Sequence, residues 1–477
     1  MSYIERPPHI KISPNIGSLL DIPVGRYHYG PHGESIFNGG LAFTTGLTSN
    51  PNSFKSTLMH YMTLSAANRM YEGILADPKK RGLIPNITSY DTEYSMHESR
   101  ILELARNFSI LGRDNLFSDE IWVLTDRSIY PGGNTWFDIY KTMALDKRKS
   151  RKDIHIDTPF LDRDHKTLMK MLVPTFVQLD SLTEFKTDDI VRITDKVQIG
   201  DSDRNALNLR QGLVKAQMIQ DMVPLANTAY QYSLITAHIG KDNKIGASPA
   251  TAHAPKRMQH LPMDDKIKGV TDEFLYLMGN CWYLTKPTTL WDSKKAPLYP
   301  KDQEDRNPED VDLITVNLKQ IRGKGGPSGI VITQVISQRE GVLPELTEFH
   351  YLRRMGYGFE GDDTNYRLHL RPDLNLNRTT IRGKIAADPL LRRALNITAE
   401  LCQITQYHRA WGGATLCSPK ELFQSLKDKG YDWDELLSTR GWWCPYNDKH
   451  SIPFLSTMDL LKIRSGEYTP YWKHKEV

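Results

Sequence analysis

From Gly40 onward, short apolar runs alternate with longer stretches whose apolar residues recur at helical spacing. GLAFTTG, NITSYD, EIWVLTD, TFVQLD and YSLITAH are continuous enough to be strands buried on both faces, as in parallel sheets. Segments starting near Lys55, His97, Trp136 and Asn205 carry the period of amphipathic helices. The pattern predicts an α/β domain with a mainly parallel twisted sheet. Residues 1–39 are rich in Pro and Gly and read as a lead-in with at most short structure, so the core is expected over 40–340. Residues 341–477 turn helical and aromatic, with LLRRALNITAELCQI and PKELFQSLKDKGYDWDELL as helices of a separate C-terminal region. Two stretches break the rhythm. Residues 146–165, DKRKSRKDIHIDTPFLDRDH, are so densely charged that they read as a solvated insertion, with phosphate contact by the basic run KRKSRK as the alternative, and residues 239–269 read as a long loop.

Length and composition narrow the picture. A chain of 477 residues exceeds one ordinary core, which means two domains or one with large insertions. Hydrophobic residues at 39% and charged residues at 25% exclude a disordered or fibrous protein. No apolar run is long enough for a membrane span, and MSYIERPPHI lacks the basic and apolar segments of a secretory signal, so a cytoplasmic protein with no membrane partner is expected. Cys281, Cys402, Cys417 and Cys444 lie far apart without a C-x-x-C pair, which argues against a disulfide framework or a zinc site. A net charge of +4 is too small to argue for nucleic acid; the placement of charge has to decide that.

The first chemistry sits around Lys55. A strand is followed by the small-residue loop Ser49, Asn50, Pro51, Asn52, Ser53, Phe54 and then by a helix opening Lys55-Ser56-Thr57. Helix N-terminal N–H groups and a lysine can converge there on phosphate oxygens, while the Ser56 hydroxyl ligates magnesium. Ser49 and Phe54 stand where the usual pattern has glycines, so a polar loop with an exposed lysine is the competing reading. Two strand ends add acids. Asp180 closes TFVQLD, where a carboxylate can hold Mg²⁺ through water, and Glu93 follows NITSYD, where one can activate an attacking water. Either acid alone is more often a helix cap.

With these residues in place, the chain resembles the RecA superfamily and, within it, the phage UvsX recombinases. SNPNSFKS is similar to the UvsX phosphate loop, which also carries Phe before the lysine; YDTEYS resembles the segment bearing the catalytic glutamate and QLDSL the second nucleotide motif. The resemblance implies an ATP-binding site with Lys55, Glu93 and Asp180 in those roles. It makes His238, at the end of SLITAH, a sensor of the terminal phosphate; a satisfied core histidine is the alternative. KVQIGDSDRNALNLRQGLVKAQMI resembles a first DNA-binding loop and its helix, with Gly200, Asp201, Ser202 and Arg204 as contacts. The loop after His238 corresponds to a second one, carrying Lys241, Lys244, Lys256 and Arg257, among other lysines, for phosphates.

VNLKQIRGKGGPSGIVITQVISQREGV is similar to the strand pair that gives basic residues to a neighbour's ATP, which points to Lys319, Arg322 or Lys324; an exposed strand-edge charge is the alternative for each. Arg100 replaces the tyrosine expected to stack on adenine, seven residues after Glu93. The likeness covers roughly residues 17 to 405, with dense motifs over 40–340. It implies a DNA-dependent ATPase that uses ATP and Mg²⁺, binds single-stranded DNA and assembles with itself as a filament or ring. Mediator or single-strand-binding proteins would be further partners, and the host cytoplasm the setting for a phage-encoded chain. A DnaB-type ring helicase and a catalytically silent mediator or structural relative compete with it. Trp442, Trp443 and Trp472 suit either core packing or a partner surface.

Overall fold

In a computed structural model of the chain, residues 10–194, 203–241, 261, 265–268, 273–302, 307–362 and 365–476 are described. A short hairpin of β1 (Arg26–Tyr29) and β2 (Ser35–Asn38) leads into β3 (Thr44–Ser49). Then follow α1 (Lys55–Ala76), β4 (Asn86–Asp91), α2 (Glu98–Ala105), β5 (Trp122–Asp126) and α3 (Gly133–Lys149). A second hairpin, β6 (His155–Leu161) with β7 (Leu168–Leu172), precedes β8 (Thr175–Asp180), α4 (Asp188–Thr194), α5 (Asp203–Ala229) and β9 (Gln231–Lys241). The remaining strands of the main sheet are β10 (Asp265–Ile267), β11 (Asn280–Leu284), β12 (Thr288–Thr289), β13 (Leu313–Gly323), β14 (Val331–Ser337) and β15 (Gly341–Val342).

Among the described residues the main sheet has eleven strands, in the order β15-β14-β13-β11-β3-β9-β8-β4-β5, with β10 on β9 and β12 on β13. From β11 to β5 every pair is parallel, and the remaining pairs are antiparallel. The expected α/β architecture with a mainly parallel sheet is present. Parallel neighbours need crossovers, and the helices that supply them cover both faces. Strands β3 and β8 are accordingly buried at every residue.

One side of α1 is tied to the sheet by polar groups. Ser56, His60 and Thr63 fall on one helical face, opposite Asp180 and Gln178, which share one face of β8. The Ser56 hydroxyl donates to Asp180, His60 Nδ1 donates to Gln178 Oε1 at 3.2 Å, and Gln178 Nε2 donates to Thr63 Oγ1 at 2.7 Å. Ser89 Oγ also donates to Gln178 Oε1 at 2.8 Å and in turn accepts from Trp122 Nε1 at 2.8 Å. Burial pushes the His60 imidazole down to about 4, so it sits neutral in this lattice. A buried polar set that is satisfied fixes one register of helix on strand, since any slip would strand its donors.

Helix Pro344–Met355 lies against β14, and helix Pro389–Tyr407 packs on that helix. The apolar side chains of 341–477 join those of the sheet in a continuous core that takes in Trp443, Leu461 and Ile12. Gly73 of α1 shows how close the approach is: a Cβ there would stand 2.3 Å from the Pro445 carbonyl oxygen. Trp443 is wholly buried, and Trp442 stacks under the Arg69 guanidinium at 4.7 Å.

The solvated insertion expected over 146–165 is corrected. Residues 146–149 are the last turn of α3, where Lys147, Arg148 and Lys149 complement the exposed carbonyls of the helix end. Residues 155–161 are β6, which buries Ile156 and Phe160 completely. Among the described residues no helix is long and apolar enough to cross a membrane.

Candidate active site

Four parallel strands bring the sequence candidates together at one edge of the sheet. Ser49 at the end of β3 is the register partner of His238 on β9, and Asp180 at the end of β8 is the partner of Asp91 on β4. Side chains at the carboxyl ends of adjacent parallel strands face a common crevice. Lys55 and Ser56 open α1 directly above it.

The 50–54 loop reaches this position without glycine. Asn52 (φ 57°) and Phe54 (φ 61°) both adopt the left-handed conformation, and Phe54 is the N-cap of α1. Asparagine tolerates that region; for phenylalanine it costs about 1–2 kcal/mol. The Phe54 ring packs against the core, which offsets part of that cost. Lys55 and Ser53 are buried, whereas Asn50, Pro51 and Asn52 are exposed.

Below the loop the charged groups interlock. Asp180 accepts from the hydroxyls of both Ser56 and Thr236. Lys55 Nζ lies 3.4 Å from His238 Nδ1, and His238 Nε2 lies 2.7 Å from Glu93 Oε1. Lysine can only donate and a carboxylate can only accept, so the imidazole carries its proton on Nε2. Ser181 Oγ donates to the same Glu93 oxygen at 2.5 Å, and the Asp180–Ser181 peptide is cis. The hydrogen bond from His238, reinforced by Ser181 and the Lys55 charge, holds the Glu93 carboxyl down at about 2 against its partial burial. Asp180 moves the other way: burial raises it although two hydroxyls donate to it. Burial also lowers Lys55, with Asp180 and Glu93 opposing.

Second-layer residues aim this set. Asp91 accepts from the backbone N–H groups of Glu93, Ser95 and Met96 at 2.6–2.8 Å, which closes the turn presenting Glu93. His238 N donates to Thr183 Oγ1 at 2.8 Å, Lys215 Nζ to Thr183 O at 2.9 Å and Gln211 Nε2 to Phe185 O at 2.8 Å, which ties α5 to the loop after Asp180. The sequence reading missed Asp91, Ser181, Thr183 and Thr236. Strand alternation would have found Thr236, because it precedes His238 by two residues and shares its face.

The other expected residues are spread out. Arg100 donates to the carbonyls of Gln338 and Arg339, both at 2.7 Å, and pairs with Glu103 at 2.8 Å. Lys319 lies opposite Tyr283, itself paired with Thr48, and so stands near the carboxyl edge. Arg322 lies three residues further toward the other edge, and Lys324 N–H bonds Gly279 O at that edge. From Lys319 to Lys324, just past the end of β13, is roughly 16 Å. Lys241 pairs with Asp265 at 2.7 Å. Gly200, Asp201, Ser202, Lys244, Lys256 and Arg257 lie outside the described residues, as does the side chain of Arg204 in α5. A cavity of about 550 Å³ opens beside Thr57, between α1, Leu104 and Asn107, and the 340–346 segment.

Among the described residues no group of three or more His, Cys, Asp or Glu could enclose a metal by itself. A buried carboxylate beside a hydroxyl, Asp180 with Ser56, suits a hard divalent cation that takes its remaining ligands from water and phosphate. No protein-family model matches the chain, and a search of curated proteins finds no match.

Proposed function

We propose that this chain is a RecA-type ATPase of the phage UvsX kind, which binds single-stranded DNA, assembles with itself and uses ATP to control homologous pairing. The observation carrying this reading is the convergence of Lys55, Ser56, Asp180, Glu93 and His238 at the carboxyl ends of β3, β9, β8 and β4. Lys55 and the first N–H groups of α1 would bind the phosphates, and the cavity beside Thr57 gives room for base and sugar. Ser56 and Asp180 would hold Mg²⁺, which supplies neutralisation of the phosphate oxygens. Glu93, ionised at neutral pH, orients the attacking water and accepts its proton. Before it can do so it must give up the hydrogen bonds from His238 and Ser181. A terminal phosphate that engages His238 frees Glu93, and the His238–Thr183 and Lys215–Thr183 bonds carry the shift toward α5.

The test is phosphate release measured with and without oligothymidylate. Lys55→Ala and Glu93→Gln should each lower hydrolysis by about 10²–10⁴-fold with circular dichroism unchanged. Hydrolysis at the parental rate in both variants overturns the assignment. Electron microscopy with single-stranded DNA and a non-hydrolysable ATP analogue then separates filament, ring and monomer.

A further inference from the structure

The opposite edge of the same strands has a different character. A cavity of about 880 Å³ lies between the end of α3, the β6–β7 hairpin, the start of β9 and Ile10-Lys11. A second, of about 310 Å³, shares Ile10, Lys11, Phe43 and Asn227 with it, so the two form one groove. Its cations are Lys11, Arg148, Lys149, Arg151 and Lys170 in the larger part, and Arg26, Arg163 and Lys324 in the smaller. The acid in this lining, Asp162, is already engaged by Lys166 N at 2.9 Å and Thr167 Oγ1 at 2.6 Å.

Lys149 and Lys170 have carboxylate neighbours at 3.0 and 3.8 Å, but Lys11, Arg26, Arg148 and Arg163 form no ion pair among the described residues. The crowding is felt. Burial lowers His155 and the Arg151 and Lys170 charges lower it further; Lys324 is likewise lowered by burial and then by Arg322 and Lys11. Like charges gathered around a concave surface repel one another in the free protein, and a polyanion relieves that repulsion. The wall also carries aromatic surface, Tyr230 edge-on to Phe43 with centroids 5.8 Å apart. Cations strung along a groove with rings in its wall match a strand whose phosphates and unpaired bases are both accessible. A duplex keeps its bases stacked inside, out of reach of those rings.

We propose that this amino-edge groove is a binding site for single-stranded nucleic acid, separate from the loops at the carboxyl edge. Gln231 opens β9 at the groove, and His238 at the carboxyl-edge site lies seven residues along the same strand, roughly 23 Å away. The choice of strand partner agrees with the recombinase reading, but the groove needs neither nucleotide nor hydrolysis, so the two can fail separately.

The test uses the full chain without nucleotide and a fluorescent oligothymidylate followed by anisotropy. Arg148→Glu/Arg151→Glu/Lys170→Glu is compared with a control of equal charge change at the exposed Lys420, Lys427 and Lys429, each changed to Glu. The groove variant should lose roughly tenfold or more in affinity, and its slope of log affinity against log salt should become shallower by about 2. Photo-cross-linking should place the oligonucleotide on residues 145–172 or 227–230, in the Lys55→Ala background as well. The proposal is overturned if control and groove variants bind alike, if cross-links fall only elsewhere, or if duplex DNA or phosphatidylserine vesicles are the preferred ligand.

Discussion

The two edges of the parallel strands use charge in opposite ways. At the carboxyl edge, Lys55, Asp180, Glu93 and His238 are buried or half-buried, and each is matched to a neighbour within hydrogen-bonding reach. At the amino edge, cations crowd an open groove, and several have no carboxylate partner among the described residues. A matched, desolvated set is poised for a small ligand whose charges replace existing contacts one for one. An unmatched field is suited to a long polyanion that displaces counterions along its length. α3 joins the two, with Gly133 packed against Phe185 in the loop after Asp180 and Arg148 and Lys149 at the groove.

Salt is the strongest lever on this contrast. If the groove neutralises about four phosphates of a single strand, affinity should fall roughly 50-fold between 50 and 200 mM salt. Nucleotide affinity at the carboxyl edge should change far less, because buried charges are screened weakly. Parallel titrations of oligothymidylate and ATP over that range measure both. Equal sensitivity of the two ligands would erase the distinction drawn between the edges.

How much of this was legible beforehand differs between the edges for a physical reason. The carboxyl edge is assembled from strand ends, and each strand announces itself as an apolar run with a polar terminus. Lys55, Glu93 and Asp180 could therefore be picked from the text alone, while His238 entered through the family resemblance. Thr236 was readable from alternation and was overlooked; Asp91 acts through backbone amides, which leave no mark in the sequence. The groove is another matter. Its cations come from Lys11, Arg26, the 148–170 segment and Lys324, which no sequence window contains together, and a net charge of +4 averages them away. The run KRKSRK reads as a solvated loop because its charges hide the helix end and hairpin beneath. Lys147 of that run is drawn inward, donating to Thr175 Oγ1 at 3.0 Å, and burial lowers it to about 7.

A smaller effect tests whether the edges are mechanically independent. A Cβ at Gly133 would stand 2.1 Å from Phe185 Cζ, and Phe185 is fixed by edge contacts with Tyr90 and Trp136. Gly133→Ala should cost about 1–3 kcal/mol in urea unfolding. It should also disturb the loop after Asp180, and with it hydrolysis, while oligonucleotide affinity per folded molecule stays at the parental value. Loss of both activities in proportion would mean that α3 transmits strain from one edge to the other.

The subtlest expectation concerns His155 on β6. Arg151 Nε donates to His155 Nε2 at 3.3 Å, which keeps that nitrogen unprotonated, and burial together with Arg151 and Lys170 holds the imidazole below its usual range. A histidine lowered in the folded state weakens the fold as pH drops from about 6.5 toward the folded pKa, since the unfolded chain takes the proton first. Arg151→Gln should move the His155 titration upward in NMR and reduce that acid sensitivity. A bound strand brings negative charge to the same spot, so it too should move the titration upward. Binding then takes up protons and tightens as the pH falls through that window. If oligothymidylate leaves the His155 resonance titrating where it did, the strand does not pass this part of the groove.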